Sequence, residues 1–157
     1  MKRVKTMLIA AVFALSGAAM SAAAADSVVG TWTLNVAKSS FDPGPAAKSQ
    51  TRTYTEDSDG TAVAVTGVGA DGSAISQQAT FKYDGKAYPW TGSPDIDAVS
   101  LKRVNGSTVT GTLMKAGKKV GTTTRTISGH GKILTLSTAI TGADGKIHKT
   151  VTVFDKQ

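Results

Sequence analysis

The sequence predicts an all-β domain: an antiparallel up-and-down meander closed into a single barrel of about eight to ten strands. Three observations predict it. From Val28 onward, short runs rich in Thr, Val and Ile alternate with glycine-containing turns. Those turns are Asp59-Gly60, Asp71-Gly72, Asp84-Gly85, Asn105-Gly106, Ala116-Gly117, Gly129-His130-Gly131 and Asp144-Gly145. Asp-Gly and Asn-Gly tolerate the positive φ of tight hairpin turns, whose twist matches that of the strands they join. No segment beyond residue 25 sustains a helical period.

Taken in order, strands are expected at 29–35, 49–57, 61–68, 74–83, 86–90, 97–104, 107–115, 118–128, 132–140 and 147–155. A sheet of that many antiparallel strands curls and closes to remove its edges. A two-sheet β-sandwich fits the same strand rhythm and is the alternative architecture. Alternation assigns the faces. Val63 and Val65, Val109 and Leu113, Leu134 with Leu136 and Ile140, and Ile147 with Val151 and Val153 form the apolar faces. Around Val120 to Ile127, Thr122, Thr124 and Thr126 share one face and Arg125 and Ile127 the other. In the last strand the same rule turns His148 outward. Many core-side positions are small, which suits either a narrow filled interior or a modest cavity.

Two stretches interrupt the meander. Lys38 to Lys48, with Phe41 and then Asp42-Pro43-Gly44-Pro45, is too rich in proline and glycine for a central strand. It reads as a long loop anchored by Phe41. Pro89 to Asp97 reads as a second loop, and long loops in compact domains often carry function. Gly69-Ala70-Asp71-Gly72 recurs as Gly142-Ala143-Asp144-Gly145. Shared hairpin chemistry explains that echo, and a duplicated half-barrel is the other account.

Residues 1–25 have the order of a secretory signal peptide: Lys2, Arg3 and Lys5, then a short apolar run from Met7 to Met20, then Ala23-Ala24-Ala25. The run is shorter than the ~20 residues of a membrane-spanning helix, and no second one follows. The expected product is a single domain, 26–157, periplasmic or secreted and without an integral membrane segment. With no cysteine, lipid anchoring through a lipoprotein cysteine, disulfides and thiolate metal sites are all excluded. The chain has 18 Lys and Arg against 11 Asp and Glu. Three of the cations lie in the signal, so the rest carries about +4, with its charges scattered. That balance argues against a nucleic-acid partner. The densest cluster, Lys115, Lys118 and Lys119, surrounds one turn and is either a solvated hairpin tip or a patch for an anionic envelope component.

The opening Val29-Gly30-Thr31-Trp32-Thr33-Leu34-Asn35, a Gly-x-Trp ahead of a meander, resembles the lipocalins and their wider calycin relatives. The resemblance implies that Trp32 closes one end of a barrel beneath an Arg from a late strand, for which Arg125 is the best match. The fuller pattern, with Lys38-Ser39-x-Phe41, Pro43-Gly44-Pro45, Lys82-Tyr83-Asp84-Gly85-Lys86-x-Tyr88-Pro89 and Ser100-Leu101-Lys102-Arg103, is similar to a group of small exported bacterial proteins. It spans most of the chain after residue 25, implying the fold and no activity. The chain departs from lipocalins in lacking a Thr-Asp-Tyr motif, a cysteine pair and a C-terminal helix, and in carrying Lys149 in the last strand.

Catalysis by a nucleophile needs a base fixed beside it. His130 lies between two glycines, His148 lies on a strand, and neither Gly-x-Ser-x-Gly nor His-Glu-x-x-His is present. No catalytic residue is assigned. Asp57-Ser58-Asp59-Gly60 and Asp95-Ile96-Asp97 supply too few oxygens for a calcium loop, and no phosphate-cradling loop exists, so no metal or cofactor is expected. Four of the aromatic residues crowd between Phe81 and Trp90. Tyr83, Tyr88 and Trp90 are placed to line a barrel mouth, with Arg103 or Arg125 meeting a carboxylate; filling the core is their competing role. With Trp32 they form the candidate ligand-binding set. The expected function is a non-enzymatic exported barrel that binds a small apolar or amphipathic ligand. An envelope interaction module with a filled interior, and more distantly a lipid-acting enzyme, are the alternatives. The interior discriminates them.

Overall fold

The computed structural model describes residues 27–157, and the expected signal segment 1–25 lies outside the described residues. The strands are β1 Gly30–Leu34, β2 Ser40–Asp42, β3 Ser49–Asp57, β4 Gly60–Val68, β5 Ala74–Phe81, β6 Asp84–Thr91, β7 Ala98–Arg103, β8 Thr108–Lys115, β9 Lys118–Ser128, β10 Ile133–Thr141 and β11 Ile147–Lys156. Each of β3 to β11 pairs antiparallel with its sequence neighbours. β1 pairs with both β3 and β11, which closes the sheet. β2 continues the course of β1 along β11, with Phe41 opposite Thr150. The result is a closed up-and-down barrel of ten antiparallel strand positions, the first shared by β1 and β2. The sandwich alternative is set aside.

The break in the first strand has a local cause. Asn35 Oδ1 accepts from Lys38 N at 3.2 Å, which turns the chain through a single 3-10 turn at Val36–Lys38. The Asn35 amide also donates to Asp155 Oδ2 at 2.6 Å, and Ser39 Oγ accepts from Val153 N at 2.9 Å. These bonds return the chain to β11. The stretch expected to be a loop from Lys38 to Lys48 therefore contains β2, because its prolines begin only at Pro43. β2 pairs on one side alone, where nearby prolines are tolerated.

Two other expectations change. Asp84-Gly85 is not the reversal between β5 and β6. The chain turns at Lys82-Tyr83, and Gly85, at φ 79°, sits in a register shift within β6. β6 then runs through Pro89 to Thr91. Trp90 N donates to Asp97 O at 2.8 Å, so the backbone position of residue 89 faces β5, where proline has no N–H to give. The β5–β6 ladder accordingly shrinks to Gln78 with Thr91 and Ala79 with Trp90. In β11 the inner face is the reverse of the expected one. Fully buried Phe154 sets the phase, so Thr152, Thr150 and His148 share its side. Ile147 and Val151 are 66 % and 39 % exposed.

The core lies at one end. Trp32, Phe154, Leu134, Val28, Val65 and Val109 are the largest fully buried side chains. Trp32 Nε1 donates to Val28 O at 2.7 Å, so its one polar atom is satisfied. The turns at 58–59, 82–83, 104–107 and 129–132 share this closed end with residues 27–29, and the loops at 43–48, 69–73, 92–97, 116–117 and 142–146 surround the other.

Two of those upper loops are the echoed tetrapeptides, and they are the same hydrogen-bonded object. Gly69 N and Gly142 N donate to Ser73 O and Lys146 O at 2.7 and 2.9 Å. Asp71 Oδ1 and Asp144 Oδ1 accept from Ser73 N and Lys146 N at 2.9 and 3.0 Å. This shared turn accounts for the repeat. In the second loop His148 Nε2 also lies 3.0 Å from Asp144 Oδ1. That contact, and then the Lys146 N–H, holds the Asp144 carboxyl below its usual range.

Replacing Trp32→Ala removes the plug at the closed end, and chemical denaturation is expected to show a loss of ~3–5 kcal/mol. An unchanged midpoint would show that the barrel closes without it. The lowered carboxyl makes a second prediction. A depressed acid stabilises the fold above its unfolded pKa and ceases to as pH falls through its folded pKa. Wild type should therefore withstand more urea than Asp144→Asn at about pH 6, and the gap should close as pH falls below the usual carboxylate range. A gap that is constant with pH would contradict the Asp144–His148 pairing.

Candidate functional site

Side chains on registered partners of an antiparallel pair lie on the same face of a sheet, and every second residue of each strand points inward. On β3 this places Gln50, Arg52 and Tyr54 inside, and on β9 Thr123, Arg125 and Ile127. Above the buried floor they surround a cavity of about 320 Å³. Several inward positions of the upper barrel are small. Gly111, opposite Thr123, leaves room for Leu101: a Cβ there would lie 2.4 Å from Leu101 Cδ2. The cavity reaches solvent at the β6–β7 loop, since Ser93, Asp95 and Ile96 all line it and Asp95 is exposed.

The lining divides into two walls. Phe81, Trp90, Ile96, Val99, Leu101, Val109 and Leu113, from β5 to β8 and their loop, are apolar. Gln50, Arg52, Tyr54, Thr123, Arg125, Thr138 and Thr150, from β9 round through the closure to β3, are mostly polar. Leu136 and Ile140 of β10 add apolar surface to that side, and Gln77 adds a polar group to the first. The polar groups are ordered by one another. Thr123 and Thr138 hydroxyls lie 3.1 Å apart, Arg52 Nε donates to Gln50 Oε1 at 3.3 Å, and Trp90 Nε1 donates to Gln77 Oε1 at 3.0 Å.

Of the six candidate residues, Trp90 and Arg125 line this cavity and the other four do not. Trp32 lies in the floor. The cation over its ring is Lys156 Nζ, 5.0 Å from the centroid, in place of the expected Arg125. Register explains the exchange, because Trp32 and Lys156 are directly paired across β1 and β11. Arg125, 6 % exposed, instead lies 5.7 Å from the Tyr54 ring centroid and 5.2 Å from that of Tyr83. Its Nη1 donates to the Tyr83 hydroxyl at 2.9 Å. Arg103 stacks on Tyr83 at 4.3 Å, and Phe81 meets that ring edge-on at 5.7 Å. Tyr83 is thus a packing element at the closed end. Tyr88 donates to Asp84 Oδ2 at 2.9 Å. Its partial burial and then Asp84 raise its phenol pKa, and the Lys86 N–H leads the contacts that lower the Asp84 carboxyl.

Sequence reasoning missed Gln50, Arg52, Tyr54 and Gln77. A signal was present: Gln50-x-Arg52-x-Tyr54 alternates within an expected strand, so the three had to share a face. Nothing in the alternation marks that face as inner, because its partner set Thr51, Thr53 and Thr55 is no more polar. Neither His130 nor His148 lines the cavity. Among the described residues no group of three or more His, Asp or Glu side chains is placed to hold a metal ion. The arrangement supplies an enclosed surface of mixed polarity, with two guanidiniums and several neutral hydrogen-bonding groups.

No protein-family model matches the chain, and no curated relative matches it either. Among solved structures it is similar to zebrafish ileal bile acid-binding protein complexed with cholic acid, at a TM-score of 0.50 and 13% identity. That match covers 83% of this chain and 99% of the zebrafish one. At this identity the likeness concerns the fold alone, a closed up-and-down β-barrel.

Proposed function

We propose that this chain is a non-enzymatic, exported barrel that binds one small apolar or amphipathic molecule in its interior. The observation that carries the reading is the cavity of about 320 Å³, open at the β6–β7 loop and lined by one apolar and one polar wall. Sites for small molecules are concave and mostly apolar, with a few placed polar groups, and run from ~300 Å³ upward. Closed barrels of this strand number hold one such ligand inside. The zebrafish protein of similar fold is complexed with cholic acid, a small amphipathic molecule, which supports the same class of ligand here. Export rests on the signal-like order of residues 1–25. Trp90 is the apolar anchor of the site, fixed by Gln77, and Arg125 contributes charge from the floor.

Native mass spectrometry of the chain, purified from its producing cell without detergent, tests the proposal. The expected spectrum shows a reproducible adduct of one small molecule per chain that survives dilution. A bare mass, together with no uptake of any apolar or amphipathic compound offered in excess, would remove it.

A further inference from the structure

We propose that Arg52 selects the charge of the ligand, taking the anionic group of an amphipathic molecule whose apolar body lies against the β5–β8 wall. The inference rests on the cavity being the binding site and names the residue that reads what enters it. Two guanidiniums line the cavity, and their surroundings differ. Arg125 is 6 % exposed, flanked by two tyrosine rings and bonded to the Tyr83 hydroxyl. It is part of the floor.

Arg52 is half-buried, and its guanidinium lies 5.4 Å over the ring of fully buried Phe154. Its hydrogen bond to Gln50 Oε1 goes to a neutral group. Among the described residues no carboxylate lies within ion-pair distance of it. Asp95, an acid that does line the cavity, sits exposed at the rim. The Phe154 face holds the guanidinium plane, while the planar fork keeps donors for a second partner. A carboxylate or sulfonate brought against that fork forms charge-assisted hydrogen bonds, roughly twice as strong as neutral ones. In a partly desolvated cavity those bonds are screened less than at the surface. Thr138 and Thr150 line the same polar wall.

The test uses two fluorescent probes with the same ring system, anilinonaphthalene sulfonate and its uncharged counterpart phenylnaphthylamine. Wild type is expected to prefer the sulfonate. Arg52→Gln should weaken sulfonate binding at least about tenfold while leaving phenylnaphthylamine within about twofold. Arg52→Lys, which keeps the charge, should retain most of the preference, and added salt should erode it. If Arg52→Gln melts early, Arg52→Met keeps the apolar stem on Phe154 and carries the same comparison. An equal loss for both probes would make Arg52 a structural residue and overturn the inference. An undiminished sulfonate preference would overturn it too, moving charge selection to Arg125. Wild type that takes up neither probe would remove the binding reading beneath it, an outcome distinct from both.

Discussion

The whole molecule depends on β1 being hydrogen-bonded on both sides, to β3 and to β11. Five residues, Gly30–Leu34, close a sheet that otherwise ends in two open edges. Trp32 sits at the centre of that short strand, fully buried and bonded to Val28 O. The last residue joins the same closure, Gln157 N donating to Thr31 O at 2.9 Å. The pairing links the two ends of the described chain, so it is a contact of the longest sequence separation, whose loop-closure entropy packing around Trp32 has to offset. It also builds the site. Phe154, registered opposite Leu34, is the surface on which Arg52 rests.

Why the barrel is filled at one end and hollow at the other follows from how side-chain size is distributed along the strands. Toward the closed end the inward positions carry Trp32, Phe154, Leu134, Val65 and Val109, all fully buried. Toward the open end they carry Gln50, Gln77, Thr123, Thr138 and Thr150. Ten strand positions enclose a wider interior than eight, and residues of that size do not fill it. Those polar groups also bring a desolvation cost that an all-apolar lining would avoid, which is offset where the Thr123 and Thr138 hydroxyls meet, Gln50 accepts from Arg52 and Gln77 accepts from Trp90.

Much of the fold was legible, and the reason is turn chemistry. Positive-φ glycines at Gly60, Gly72, Gly117 and Gly145 fall where Asp-Gly and Ala-Gly signals put reversals, and the strands between them follow. The exceptions were places where one long-range contact outvoted a local signal. Asp84-Gly85 has the turn composition, yet Phe81 and Tyr83 pack on the core and pull the reversal two residues earlier. Ile147, Val151 and Val153 have the apolar pattern of an inner face, yet a single buried Phe154 reverses the phase of β11. β2 was hidden because its pairing depends on the Asn35–Asp155 contact, between residues far apart in sequence. The candidate site was legible only in part. Trp90, singled out by the crowding of aromatic residues, and Arg125, singled out by the resemblance, line the cavity. Arg52 was passed over because a strand of Thr, Gln and Arg reads as an outer one until its partner strand is known.

The inward placement of Arg52 bears on function. A sequence specifies its fold when patterning, packing and polar satisfaction agree, and natural proteins break that agreement chiefly at functional sites. Inward Thr residues alone have a structural account, since their methyl and hydroxyl groups suit a half-filled barrel. Arg52, with one aromatic face and one neutral hydrogen-bond partner, has less of one: a Leu or Met at position 52 would pack on Phe154 at less desolvation cost. Arg125, by contrast, has two aromatic faces and a phenol to justify its place. The two arginines therefore divide the interior, one completing the floor and the other held above it at the wall where the cavity is most polar.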